Sequence, residues 1–201
     1  MNLLDTRGYR WFEVATDFFL LNLLWLGACV PVVTIFPSTA AMFAVVRDWS
    51  KEKEGGLVRT FATHFRENFV QSLLVGLLWT LFGGALVFDF FVVGGLSFWA
   101  EVVAKSLLVL ATVLYASASV FLFPVMVHYE TGWRALVKNS LLLSIGRLPT
   151  TAACLLVLAL AAGLTALFPL LILITGSVTA NAIYRLCDRE FAKLDAPSRG
   201  A

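Results

Sequence analysis

The feature that most limits this chain is where its charges are missing. Four stretches, Phe18–Val46, Asn68–Phe88, Ser106–Tyr129 and Leu148–Tyr184, contain no Asp, Glu, Lys or Arg. Each exceeds the ~18 apolar residues that argue for a bilayer-spanning helix. A helical protein folded in water would place a charge on its outer face every turn or so, and none of these stretches does. Of 201 residues, 60% are hydrophobic and 14% charged; an average soluble domain is about 25% charged. The apolar excess must face something other than water. The chain therefore reads as an all-α integral membrane protein, a single domain over 1–201 with the lipid bilayer as its first partner.

Length fixes how the last stretch folds. As one helix, Leu148–Tyr184 would extend roughly 55 Å at ~1.5 Å per residue, against a hydrocarbon core of ~30 Å. Gly163 and Pro169 mark the expected turn of a hairpin. Lysine and arginine bias gives an independent vote. Arg47, Lys51, Lys53, Arg59 and Arg66 crowd segment 47–67; Arg134, Lys138 and Arg147 lie in 128–147; Arg185 directly follows the last stretch, and Arg189, Lys193 and Arg199 lie in 186–201. Segment 89–105 has only Lys105 beside Asp89 and Glu101. The first three are expected in the cytoplasm and the fourth outside. Five spans follow, near 18–46, 69–88, 106–127, 149–166 and 169–185: a proline-broken lead helix plus two helical hairpins. If 18–46 crosses once the N-terminus is external; if it is re-entrant, the N-terminus is cytoplasmic, which Arg7 and Arg10 favour.

Two connecting segments carry helical periodicity of their own. Val58, Phe61, Phe65 and Phe69 share one face after Gly55-Gly56; Trp133, Leu136, Val137 and Leu141 share another, with Arg134 and Lys138 off it. Both read as amphipathic helices at the inner interface, apolar side in lipid and basic side toward headgroups. Trp11, Trp49, Trp99 and Trp133 fall near the boundaries, where an aromatic belt belongs.

Within the lead stretch, Pro31 cannot bond to the Gly27 carbonyl, nor Pro37 to that of Val33. Orphaned carbonyls in hydrocarbon cost several kcal/mol each. Thr34, Ser38 and Thr39 are short hydroxyls able to satisfy a broken helix, and Gly27 gives room for the first proline ring. At similar depth lie Ser117 and Ser119 of the third span, Thr175, Ser177, Thr179 and Asn181 of the fifth, and Gln71 and Ser72 of the second. Together they outline a candidate polar cavity open to the cytoplasm, like the broken-helix sites of transporters. The same residues also serve as ordinary packing between helices, as Ala159 and Gly163 illustrate.

Chemistry is sparse. The expected spans hold no charge at depth, which argues against an ion-coupled pump. No G-x-S-x-G, Walker loop, H-E-x-x-H or C-x-x-C occurs, so neither catalytic nor cofactor nor metal residues are expected. His64-x-x-Glu67 and His128–Glu130 lack a third ligand and read as interfacial polar residues. Cys29, Cys154 and Cys187 read as buried free thiols. Leu26-Gly27-Ala28-Cys29 resembles a lipoprotein cleavage box, but Asp5, Glu13 and Asp17 oppose the positive start such a signal needs. With no basic block, nucleic acid is not an expected partner.

The stretch LNLLWLGACVPVVTIFPSTAAMFAVVRDW (21–49), with FRENFVQS (65–72), FPVMVHYE (123–130) and LVKNSLLLSIGRLP (136–149), resembles the YesL-like bacterial membrane proteins. The resemblance implies a multi-pass protein of the cytoplasmic membrane with undefined activity, often encoded beside sugar-binding transport systems. It supplies no catalytic residues. Two functions are then expected: a non-enzymatic accessory protein docking on a partner such as a carbohydrate transport complex, or a small facilitator for a neutral solute using the broken first helix.

Overall fold

The computed structural model describes residues 7–51, 55–95, 97–129 and 132–195. Asp5, Lys53, Glu130, Arg199 and the side chains of Arg7, Arg10 and Trp11 lie outside the described residues. Among the described residues, eight α-helices follow one another: α1 (Arg7–Cys29), α2 (Ile35–Ser50), α3 (Leu57–Glu67), α4 (Phe69–Val93), α5 (Phe98–Tyr129), α6 (Trp133–Gly146), α7 (Leu148–Leu167) and α8 (Ile172–Asp195). Among the described residues, five helical segments are long and apolar enough to cross a membrane: Phe12–Cys29, Phe69–Val93, Phe98–Tyr129, Leu148–Leu167 and Pro169–Lys193.

The proline break is a reversal of direction. After Cys29, Pro31 is extended (φ −76°, ψ 113°) and Val32–Thr34 form one 3-10 turn. The Thr34 hydroxyl lies 2.6 Å from the carbonyls of both Ala28 and Pro31, satisfying the groups the break exposes. Pro37 falls in the first turn of α2, where no N–H is needed; it starts a helix instead of breaking one. Gly27 faces open space and makes room for nothing. Beyond the turn, Trp25 Nε1 donates to Thr39 Oγ1 at 3.2 Å, and the rings of Phe18 and Trp49 meet at 5.1 Å. These pairings require α2 to run back along α1. The single crossing expected for 18–46 is thereby corrected: both ends of the stretch lie at one end of the bundle, as in the re-entrant alternative.

The other two pairs are hairpins as well. Trp79 with Ser119 and Tyr115 joins α4 to α5. Thr165 with Thr175, and Thr150 with Glu190, join α7 to α8 around a turn at Phe168–Leu171. Gly163 lies inside α7, and Pro169 alone marks the reversal. α2 forms the centre, touching α1, α3, α4, α5 and α8. Pro37, Ser38 and every residue from Ala40 to Asp48 are buried. The Phe36 ring lies over Gly76 of α4, where no side chain intervenes.

α3 and α6 both lie at the end where α2 and α5 finish. Part of each apolar side rests on the bundle: Phe61 is buried where α3 meets α2 and α1, while Val58 on the same helix is exposed. On α6 the buried stripe is Leu136, Ser140 and Ser144 against α5, while Trp133 is half-exposed. Small hydroxylated residues let these two helices approach closely.

The hairpins differ in length. Phe43 stacks on Phe123 at 6.0 Å and Arg47 reaches the Val127 carbonyl, so α2 and α5 run parallel in register. The start of α2 is then level with Tyr115, and residues 98–114 of α5 continue about 25 Å beyond it at ~1.5 Å per residue. Tyr184 pairs with His128, which sets the start of α8 at nearly the same height as the start of α2. Both shorter turns have apolar tips, with Val30 80%, Val32 75% and Leu170 81% exposed.

Candidate functional site

Among the described residues, space and polar groups meet at several places, of which two hold most of the polar residues of interest. The first is a lateral groove of about 460 Å³ between α1–α2 and α7–α8, whose walls include Trp25, Thr39, Met42, Ala162, Thr175 and Thr179. Three of its hydroxyls are already paired: Thr39 accepts from Trp25 and donates to the Ile35 carbonyl at 2.8 Å, and Thr175 meets Thr165 at 3.2 Å. The groove is an apolar slot with a few hydroxyls on its walls.

Of the polar residues singled out in the sequence, Thr39, Thr175 and Thr179 meet here. Ser177 turns to α1, where its N–H donates to Asn22 Oδ1 at 2.9 Å and its hydroxyl to the Phe18 carbonyl at 2.8 Å. Asn22 is fully buried and also donates to the Ile172 carbonyl, which braces α1 against α8. Ser119 accepts from Trp79 Nε1 at 2.8 Å between α4 and α5, and Ser117 is buried in α5. Asn181 accepts from Arg185 at 3.2 Å. Thr34 and Pro31 form the reversal, Ser38 is buried beside the Cys29 thiol, and Ser72 caps the Asn68 carbonyl at 2.6 Å. The structure distributes these residues over several helix contacts.

The second place is a polar knot where α2 ends. Arg47 and Asp48 are only 9% and 8% exposed. Val127 lies in the last turn of α5, where carbonyls lack intrahelical partners, and the Arg47 guanidinium donates to it. Arg47 also pairs with Asp48 at 3.2 Å. The other Asp48 oxygen lies 2.7 Å from His64 Nε2 of α3, and His64 Nδ1 lies 3.1 Å from Glu67. Burial alone would raise the Asp48 carboxyl, but the His64 hydrogen bond and the Arg47 charge outweigh it and hold it below the ordinary carboxylate range. Because the two His64 nitrogens face opposite carboxylates, the three groups do not converge on a point that would hold a metal ion. A buried ion pair is tolerable only when its remaining polar atoms are satisfied, and here three helices supply the partners.

Sequence reading placed Arg47 and Asp48 at the start of a solvated connection and missed this knot. The available signal was their adjacency: a self-neutralising Arg-Asp pair directly after an apolar helix, with a histidine on the amphipathic helix that follows. A cavity of about 360 Å³ opens beside it, lined by Arg47, His64, Glu67, Asn68, Gln71 and Val127. On the far side of the same end, Glu190 binds Arg147 at 3.1 Å and Lys193 at 2.8 Å, fastening α8 to the start of α7.

Long apolar helices, lipid-facing apolar surface and a charged knot confined to one end define a multi-pass α-helical membrane protein. Residues 18–90 match the family model described as protein of unknown function, DUF624. Three relatives from Bacillus subtilis (strain 168) extend the match. The uncharacterized protein YteU is 32% identical over 72% of this chain and 67% of its own length. The uncharacterized protein YesV is 29% identical over 74% and 73%, and the uncharacterized protein YesL 25% identical over 87% and 85%. The chain belongs to this DUF624, YesL-like family. No solved structure matches it.

Proposed function

We propose that the protein is a non-enzymatic accessory protein of the bacterial cytoplasmic membrane that docks side by side with another membrane protein. The partner class that the family resemblance implies is a carbohydrate importer. One observation carries this reading: α2 fills the centre of the bundle, with Pro37, Ser38 and Ala40–Asp48 all buried. A solute path would have to run where those side chains pack. The open space lies on the flank instead, in the groove between α1–α2 and α7–α8. Ala161, Ala162 and Gly176 keep its walls low enough for a partner helix to come close. The Lys/Arg-rich end with α3 and α6 faces the cytoplasm by the positive-inside rule, and α1 starts on that side.

Affinity purification from mild detergent tests the reading. A membrane partner should co-elute with the native chain and be lost from Ala162→Trp, which fills the groove from an exposed position. A chain that elutes alone, or a groove-filled variant that keeps its partner, refutes lateral docking. The facilitator reading keeps the reversal at Pro31–Thr34 as its site, since Thr34 is the polar group there. Its support would be solute flux in proteoliposomes that falls in Pro31→Ala.

A further inference from the structure

The knot opens into a cleft with an ordered change of polarity. Beside the cavity of Arg47, His64, Glu67, Asn68 and Gln71 lies a second one of about 580 Å³, and Glu67 and Gln71 line both. The second cavity continues past Val70, Leu74, Val75 and Leu78 of α4 and is closed on one side by Gly132 and Trp133 at the start of α6. Val70, Leu74 and Leu78 are exposed and stand one turn apart, so the apolar wall climbs about 12 Å at ~1.5 Å per residue. Glu67 is the last charge before the apolar run 68–88, so the polar part sits at the membrane boundary and the apolar part rises into hydrocarbon. Both volumes fall in the range of ligand cavities, about 300–1,000 Å³.

We propose that this cleft holds one zwitterionic phospholipid, its head against Arg47, His64 and Glu67 and one acyl chain along Val70–Leu78. The order of the lining matches the order of such a molecule. Charge decides the head: the His64 ring is held between Asp48 and Glu67, so the Arg47 guanidinium is the cation that draws phosphate oxygens, whereas the Glu67 carboxylate would repel a purely anionic head and attracts an ammonium carried beside the phosphate. Phosphatidylethanolamine has both groups; phosphatidylglycerol has only the first.

Native mass spectrometry of the full chain in detergent, titrated separately with phosphatidylethanolamine, phosphatidylglycerol and free phosphoethanolamine, tests this. Phosphatidylethanolamine should be retained as one copy, and phosphatidylglycerol should be retained less. Glu67→Gln should remove that preference, with retention falling about fivefold for one exposed charge-assisted bond. Leu74→Trp, which fills the tail groove without touching the head, should lower retention of both lipids. Leu107→Trp, on the exposed face of α5, should change nothing. Unaltered circular dichroism and elution establish that each variant folds. Equal retention of both lipids in the native chain and in Glu67→Gln would mean an ordinary lipid shell and overturn the proposal. Full displacement by phosphoethanolamine alone would also overturn it, because the site would then belong to a soluble ligand.

Discussion

Replacing Phe18 and Trp49 by cysteine, in a chain whose Cys29, Cys154 and Cys187 are alanine, tests the reversal on which the architecture depends. In an unbroken helix the two positions would be about 46 Å apart at ~1.5 Å per residue. In the folded chain their rings meet at 5.1 Å with an edge-to-face geometry. A short bis-maleimide therefore bridges the pair only if α2 returns along α1. Intact-mass measurement after reaction in detergent should show one reagent joining both thiols. A control pair at 18 and 34, separated by most of α1, should take up two reagents, each singly attached. If the 18/49 pair also takes up two reagents, the stretch crosses once and the central placement of α2 is wrong. Loss of the aromatic contact costs about 1 kcal/mol, too little to unfold a helix held by five neighbours.

Gly76→Ala should destabilise the protein by about 1–3 kcal/mol, since a methyl there collides with the Phe36 ring; Gly84→Ala, which meets open space, should be neutral or stabilising in the same detergent melt. Asn22→Ala should cost about 1–2 kcal/mol, because it removes the brace to Ile172 and Ser177. Its unfolding midpoint in a denaturing detergent should fall, and an unchanged midpoint refutes the brace. Asp48 has a folded-state pKa below its unfolded one, so its contribution is fully present above the ordinary carboxylate value near ~3.9 and is lost as pH falls through the lower folded value. Melting temperature should accordingly drop on the acid side of about pH 4, and Asp48→Asn should flatten that part of the profile.

The sequence made the α7–α8 hairpin legible because two independent quantities agreed. The stretch Leu148–Tyr184 is too long for one crossing, and basic residues flank both its ends. The α1–α2 hairpin escaped the same reasoning for a physical reason. A run from Phe18 to Val46 is long for one span but tolerable with tilt, and hydropathy is identical whether it crosses once or turns back. What decides is the cover that α3, α5 and α8 give to α2, which no local pattern records. The amphipathic helices were legible as helices, but the side of α6 that packs was not: Ser140 and Ser144 are polar letters chosen for smallness. The same blindness hid the knot. Arg47 and Asp48 look solvated in a hydropathy profile, and only the end of α5 and the His64 ring make their burial affordable.

The inequality of the hairpins has a consequence for the surrounding lipid. A bilayer thick enough to clothe α4–α5 overshoots the apolar tips at Val30–Val33 and Leu167–Leu170, so one leaflet must sag toward them. The molecule thus wears a thin flank and a thick flank. Neighbours whose own segments are short would relieve the strain by gathering on the thin side, which is the side that carries the groove.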